Sequence, residues 1–141
     1  MNNNYNEVVI IAATRTPIGS YKGSLSNIKA FELGSIVIED AITKSKIDKE
    51  DVSEVIMGQV LTAGTGQNSA RQAAMKAGLS KKIPAHLVNQ VCGSGLRSVI
   101  SGFQALKLNE AKYVVCGGQE NMSLAPHISP IKNGEEISED R

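Results

Sequence analysis

Cys92 stands in the run Val88-Asn89-Gln90-Val91-Cys92-Gly93-Ser94-Gly95-Leu96, where a short apolar stretch beginning at His86-Leu87-Val88 gives way to a helical pattern. Leu96, Val99, Ile100, Phe103 and Leu106 then recur at helical spacing and form one apolar stripe. The cysteine therefore falls at or beside a helix N-terminus. There the unpaired backbone N–H groups and the positive end of the helix dipole favour an anion, and the thiolate is the nucleophilic form of cysteine. Gly93 and Gly95 flank the small Ser94. They leave the backbone beside the sulfur uncovered, so an acyl group could approach, and they tolerate the dihedrals of a sharp strand-to-helix turn. On these residues alone the same pattern also describes a structural cysteine followed by a glycine-rich helix start.

The other chemistry-bearing residues are sparse. Cys116 ends the apolar run Tyr113-Val114-Val115 and reads as a buried, inert strand residue. His86 and His127 are far apart, and neither has a second ligand at a short interval, so no metal site is expected. Gly64-Thr65-Gly66 resembles a phosphate loop superficially but lacks the Walker spacing and its Lys-Ser/Thr ending.

The elements that must position Cys92 alternate. Strand-like runs at 8–12, 54–61, 86–91 and 112–116 are interleaved with helix-like runs at 28–44, 69–77 and 94–107. This alternation predicts an α/β fold, with a mostly parallel sheet and helices packed on its faces. Asn68 is an N-cap and Gly78 a C′ residue for the second helix, whose Ala70, Ala73, Ala74 and Ala77 share one face suited to close packing. Gly117-Gly118 reads as a tight exit turn at the carboxyl edge of the sheet, where ligands of open α/β sheets bind.

Composition narrows the partners. The 141 residues carry a formal net charge of +1 and 4% aromatics, with no basic cluster interleaved with aromatic residues, which argues against nucleic acid. The apolar run at 8–13 is far shorter than the ~20 residues of a membrane span, and no basic stretch precedes it, so a soluble cytoplasmic protein is expected. Two cysteines in a chain unlike a disulfide scaffold fit a reducing compartment.

The segment from Val88 to Val99 resembles the acyl-enzyme segment of the thiolase family, in which the cysteine carries the acyl group as a thioester. Three further segments resemble the same family in its order. They are Val8-Val9-Ile10-Ile11-Ala12-Ala13-Thr14-Arg15-Thr16-Pro17-Ile18-Gly19, Gly58-Gln59-Val60 with the loop from Gly64 to Gln72, and Gly117-Gly118-Gln119-Glu120-Asn121-Met122-Ser123 with Ala125-Pro126-His127. Gly93 after the nucleophile is similar to the biosynthetic acetoacetyl-CoA branch. The context of Arg15-Thr16-Pro17 and of Gly117 to Glu120 speaks against a ketoacyl synthase.

The resemblance implies a layered thiolase-like domain at 1–127, truncated before its last strand, with 128–141 as a polar tail at the start of an inserted loop region. It implies an acyltransferase that condenses two acetyl-CoA to acetoacetyl-CoA and CoA, or runs the reverse thiolysis, through acetyl-Cys92. Cys92 is the single catalytic residue it places in this chain. It implies no cofactor and no metal, coenzyme A thioesters being the substrates, no membrane partner, and a homo-oligomer in the full-length enzyme. The activating histidine and the acid/base cysteine of thiolases come from a C-terminal half. A helix N-terminus contributes about 0.3–1 kcal/mol to an anion beside it, up to ~2 when partly buried, which is too little to replace that imidazole. The competing expectation is therefore an inactive N-terminal fragment, serving at most as a pairing or dimerising domain.

Overall fold

The apolar run Val55-Ile56-Met57 is buried on both faces, as expected of a strand inside a parallel sheet. In the computed structural model, which describes residues 7–127, this run is the core of β1 (Glu54–Gly58). β1 is the middle strand, flanked by β2 (Ala85–Val88) and β3 (Val114–Gly118), both parallel to it, in the order β2-β1-β3. The register pairs Gly58 with Val88 on one side and with Gly118 on the other. All three strands thus end level, at the edge from which the loops toward Cys92 leave. The α/β fold with a parallel sheet is as the sequence predicts.

Side-chain alternation along β1 separates two layers. Val55 and Met57 face a core built with Ile38 and Ile42 of α1 (Ala30–Ser45) and Ala70, Ala73 and Ala74 of α2 (Ser69–Lys76). The alanine face of α2 is buried within the domain, as its small side chains allow. The close approach extends to α1, where a Cβ on Gly34 would lie 3.4 Å from the Ala73 Cβ. Asn68 caps α2 by accepting from the Arg71 amide, and Gly78 ends it at φ +78°, with Gly78 N–H bonded to Met75 C=O and Leu79 N–H to Ala74 C=O. That pair of bonds is a Schellman motif, which satisfies the last carbonyls of the helix.

The opposite face of the sheet carries α3 (Ser94–Lys107), and here the structure departs from the pattern. The face of α3 turned to the sheet is Ser94, Ser98 and Gly102, all buried. The apolar stripe points away: Leu96 is 68% exposed and Phe103 46%. The strand residues beneath explain this. Gly58 and Gly118 offer no side chains, so the first turn settles onto the backbone, while farther along Gly102 leaves room for the Cys116 and Val114 side chains.

The predicted strand at 8–12 is not formed. Val9, Ile10 and Ile11 are exposed and enter no ladder. A strand exists only as one of a pair, and among the described residues β3 is paired on one side alone, with β1. Gly117 and Gly118 are the last residues of β3 rather than an exit turn, paired with Met57 and Gly58. The run at 86–91 divides: β2 ends at Val88, and 89–93 form the turn that carries Cys92. The expected tail at 128–141 lies outside the described residues.

Candidate active site

Cys92 lies between β2 and α3, two residues before the first helical residue, as a free and exposed thiol. Its turn is closed by short-range bonds. Gly93 N–H donates to Gln90 C=O (3.0 Å), Ser94 N–H to Val91 C=O (3.1 Å), and Arg97 N–H begins the helix by donating to Gly93 C=O (2.8 Å). Gly93 is the N-cap, with no side chain to cover the first-turn amides. The amides of Gly93 and Ser94 are thus spent within the turn, and no side chain caps the start of α3 behind the cysteine.

The place of the cysteine is set by contacts the sequence does not advertise. A Cβ on Gly58 would come within 2.6 Å of both Gly95 N and Ser94 O, and closer still to the Ser94 carbonyl carbon. The first turn of α3 thus rests on the backbone of β1. On the neighbouring strand a Cβ on Gly118 would sit 3.4 Å from Gly95 Cα. Gly95 accordingly faces β3 rather than the sulfur, and a Cβ there would meet Gly118 at an ordinary 3.8 Å. Ser98 binds the helix to the same strand, its hydroxyl lying 2.8 Å from Gly117 C=O and 2.7 Å from Gly95 C=O. The one advance signal was an isolated glycine ending an apolar strand, which marks a close backbone approach.

The tripeptide after β3 fastens the surrounding loops. Gln119 donates to Gln59 Oε1 (2.9 Å), which also accepts from Ser69 Oγ, and all three side chains are buried. The Glu120 carboxylate accepts from Val60 N–H (2.7 Å) and Leu61 N–H (3.2 Å). The Asn121 amide donates to Ile28 C=O (2.6 Å) and Ser26 C=O (3.0 Å). These polar side chains serve the loops at the strand ends.

The remaining candidates lie apart from Cys92 in role. Cys116, on β3, packs its sulfur against Gly102 of α3. Burial, the largest influence, pushes its thiol up to about 11 from an ordinary value near 9.0, so it is neutral and unreactive at physiological pH. His86 pairs with Glu54 across the β1–β2 ladder, Nδ1 to Oε1 at 3.0 Å. His127 is exposed beyond the short 3-10 turn at Met122–Leu124. Gly64 and Gly66 take positive φ, and their loop is held by Gln72, whose amide donates to Thr65 C=O and Gln67 C=O. A cavity of about 500 Å³ between that loop, Phe31 and Asn121 does not include Cys92. Among the described residues no cluster of three His, Cys, Asp or Glu could hold a metal ion, and no helix is long and apolar enough to cross a membrane.

The chain is 56% identical over 124 residues to an acetyl-CoA acetyltransferase of Cupriavidus necator, covering 88% of this chain and 32% of that protein. A protein of the same name from Escherichia coli K12 is 52% identical over 124 residues, again 88% of this chain and 32% of its own length. The rat protein named acetyl-CoA acetyltransferase, cytosolic, is 45% identical over 139 residues, 99% of this chain and 35% of its own length. The chain thus spans about a third of the length of the curated relatives it matches. The family described as thiolase, N-terminal domain, matches residues 8–140, a stretch that holds the strand-to-helix turn of Cys92 and the glycine seat beneath it, and the chain belongs to that family.

Proposed function

We propose that the protein carrying this chain is an acetyl-CoA C-acetyltransferase in which Cys92 accepts the acetyl group. The observation that carries the reading is the exposed Cys92 thiol in the turn before α3, a helix whose first turn is seated on Gly58. The names of the relatives support acetyl-CoA as substrate. In the first step Cys92 Sγ attacks the thioester carbonyl of acetyl-CoA. The S–C bond to Cys92 forms, the bond to the CoA sulfur breaks, and CoA leaves as the thiol with the proton lost from Cys92. In the second step a base removes a methyl proton from another acetyl-CoA. The resulting carbon nucleophile attacks acetyl-Cys92, and the Cys92 thiolate leaves as acetoacetyl-CoA forms.

The backbone N–H of Cys92 would supply a donor for the oxygen that becomes negative in each addition. The imidazole that activates Cys92 and the acid/base cysteine come, by family resemblance, from a C-terminal half. No cofactor or metal enters this scheme. A cytosolic location accords with the rat relative's printed name. The test is thiolysis of acetoacetyl-CoA by the full gene product, followed by loss of absorbance. Activity should be abolished in Cys92→Ser and retained in Cys116→Ala. Retained turnover in Cys92→Ser would overturn the assignment.

A further inference from the structure

Val91, the residue immediately before Cys92, takes φ +52°. Five non-glycine residues have positive φ among the described residues, Lys22, Lys46, Asn68, Val91 and Asn109, and Val91 alone of them is β-branched. A β-branched side chain is disfavoured in this left-handed region because its Cβ crowds the backbone carbonyl. The side chain is 65% exposed, so core packing does not hold it there.

Its two backbone polar groups are both restrained. Val91 N–H donates to Asn89 Oδ1 (3.0 Å), and Val91 C=O accepts from Ser94 Oγ (2.6 Å) and from Ser94 N–H (3.1 Å). The same Ser94 hydroxyl accepts from Gln90 N–H (2.8 Å). One restraint is anchored on β1 and the other on the loop that follows it. Ser94 is buried against Gly58. Asn89 Nδ2 reaches Val60 C=O at 3.4 Å, while Val60 N–H is held by Glu120. A strained residue persists only where its surroundings over-determine it, and the direction in which Cys92 leaves the chain depends on the dihedrals of the residue before it.

We propose that Asn89 and Ser94 are positioning residues, which hold Val91 in its left-handed conformation and thereby aim the Cys92 sulfur at the incoming thioester. The proposal rests on the reading of Cys92 as the acetyl-accepting nucleophile. Asn89 and Val91 are exposed, so their replacement leaves the buried core intact. Ser94 is buried at the first residue of α3, and the test therefore uses Asn89. A sulfur misplaced by about 1 Å loses on the order of 100-fold in rate.

The experiment measures the rate of Cys92 acetylation by acetyl-CoA, and separately its alkylation by iodoacetamide, in the full gene product. Asn89→Ala should slow acetylation roughly 10–100-fold while alkylation stays within about twofold. Asn89→Asp keeps the oxygen that accepts from Val91 N–H but loses the bond to Val60 C=O, so it should restore only part of the rate. Glycine adopts left-handed dihedrals freely, so in a Val91→Gly background Asn89→Ala should cost no more than about threefold. The proposal is overturned by wild-type acetylation in Asn89→Ala, by failure of Asn89→Asp to rescue, or by an equal loss in both backgrounds. A wild-type protein whose Cys92 takes no acetyl group overturns the thiolase reading, and this proposal with it.

Discussion

A methyl group added at Gly58 tests whether the strand-to-helix seat governs Cys92. The new Cβ would lie within 2.6 Å of Gly95 N and Ser94 O, roughly 1 Å inside ordinary van der Waals contact at 3.4–4 Å. All of these are backbone atoms, so no side-chain rotation relieves the overlap and α3 must move off β1 by about that distance. Overpacking of this kind costs about 1–3 kcal/mol, against a gain of about 0.5–1 kcal/mol from replacing a strand glycine. In a protein three times this length each kcal/mol corresponds to a midpoint shift of no more than about 2–4 °C. Gly58→Ala should therefore melt several degrees below wild type and acetylate Cys92 on the order of 100-fold more slowly. Gly95→Ala is the control, since its Cβ meets nothing closer than 3.8 Å and alanine is the better helix former. Calorimetry and a quenched acetylation assay on the two variants decide the matter. A Gly58→Ala protein as stable and as active as wild type would refute the claim that α3 rests on the strand backbone.

Gly102→Ala should destabilise by about 1–3 kcal/mol, because its Cβ would collide with the Cys116 sulfur and approach Val114 Cγ1 to 3.1 Å. Cys116→Ala in the same chain should recover part of that loss, and additive costs in the double-mutant cycle would contradict the contact. Cys116 should resist iodoacetamide in the folded protein at pH 8–9, where Cys92 reacts, and become reactive only as pH nears 11 or on unfolding. Its raised pKa favours the folded state below pH 9, and that contribution is lost between about 9 and 11, as the unfolded thiol ionises while the folded one does not. An equally reactive Cys116 at pH 8 in the native protein would contradict its burial. The 141-residue chain alone should self-associate, because Val9, Ile10, Leu96 and Phe103 are exposed and, among the described residues, β3 is paired on one side only. Sedimentation of a monomer at tens of micromolar would count against this.

The elements with strong local causes are legible in the sequence. Asn68 and Gly78 bracket α2, its four alanines mark the buried face, and the βα alternation gives the parallel sheet. Cys92 at a strand-to-helix junction is legible for the same reason, since the apolar period changes there. What escapes is what depends on a neighbour. Residues 8–12 have the composition of a strand, but composition cannot say whether a pairing edge is present, and here they are unpaired. The stripe from Leu96 to Phe103 has the periodicity of a core face, yet the first turn rests on the bare backbone of Gly58 and Gly118 and Gly102 on Cys116 and Val114, so Ser94, Ser98 and Gly102 are buried instead. The direction Gly95 faces, toward Gly118 rather than the sulfur, depends in the same way on a residue 23 positions on along the chain. The restraints on Val91 and the reach of Glu120 to Val60 join residues whose spacing carries no recognisable motif.

The most direct measurement of the central claim is a rapid acid quench of the full gene product with radiolabelled acetyl-CoA, coupled to peptide mass mapping. One acetyl group is predicted on the peptide containing Cys92, with one equivalent of free CoA, before acetoacetyl-CoA accumulates. In Cys92→Ser both the acetyl group and the released CoA should be lost. Acetyl label on Cys116, or acetoacetyl-CoA formed with Cys92 unlabelled throughout, would contradict it.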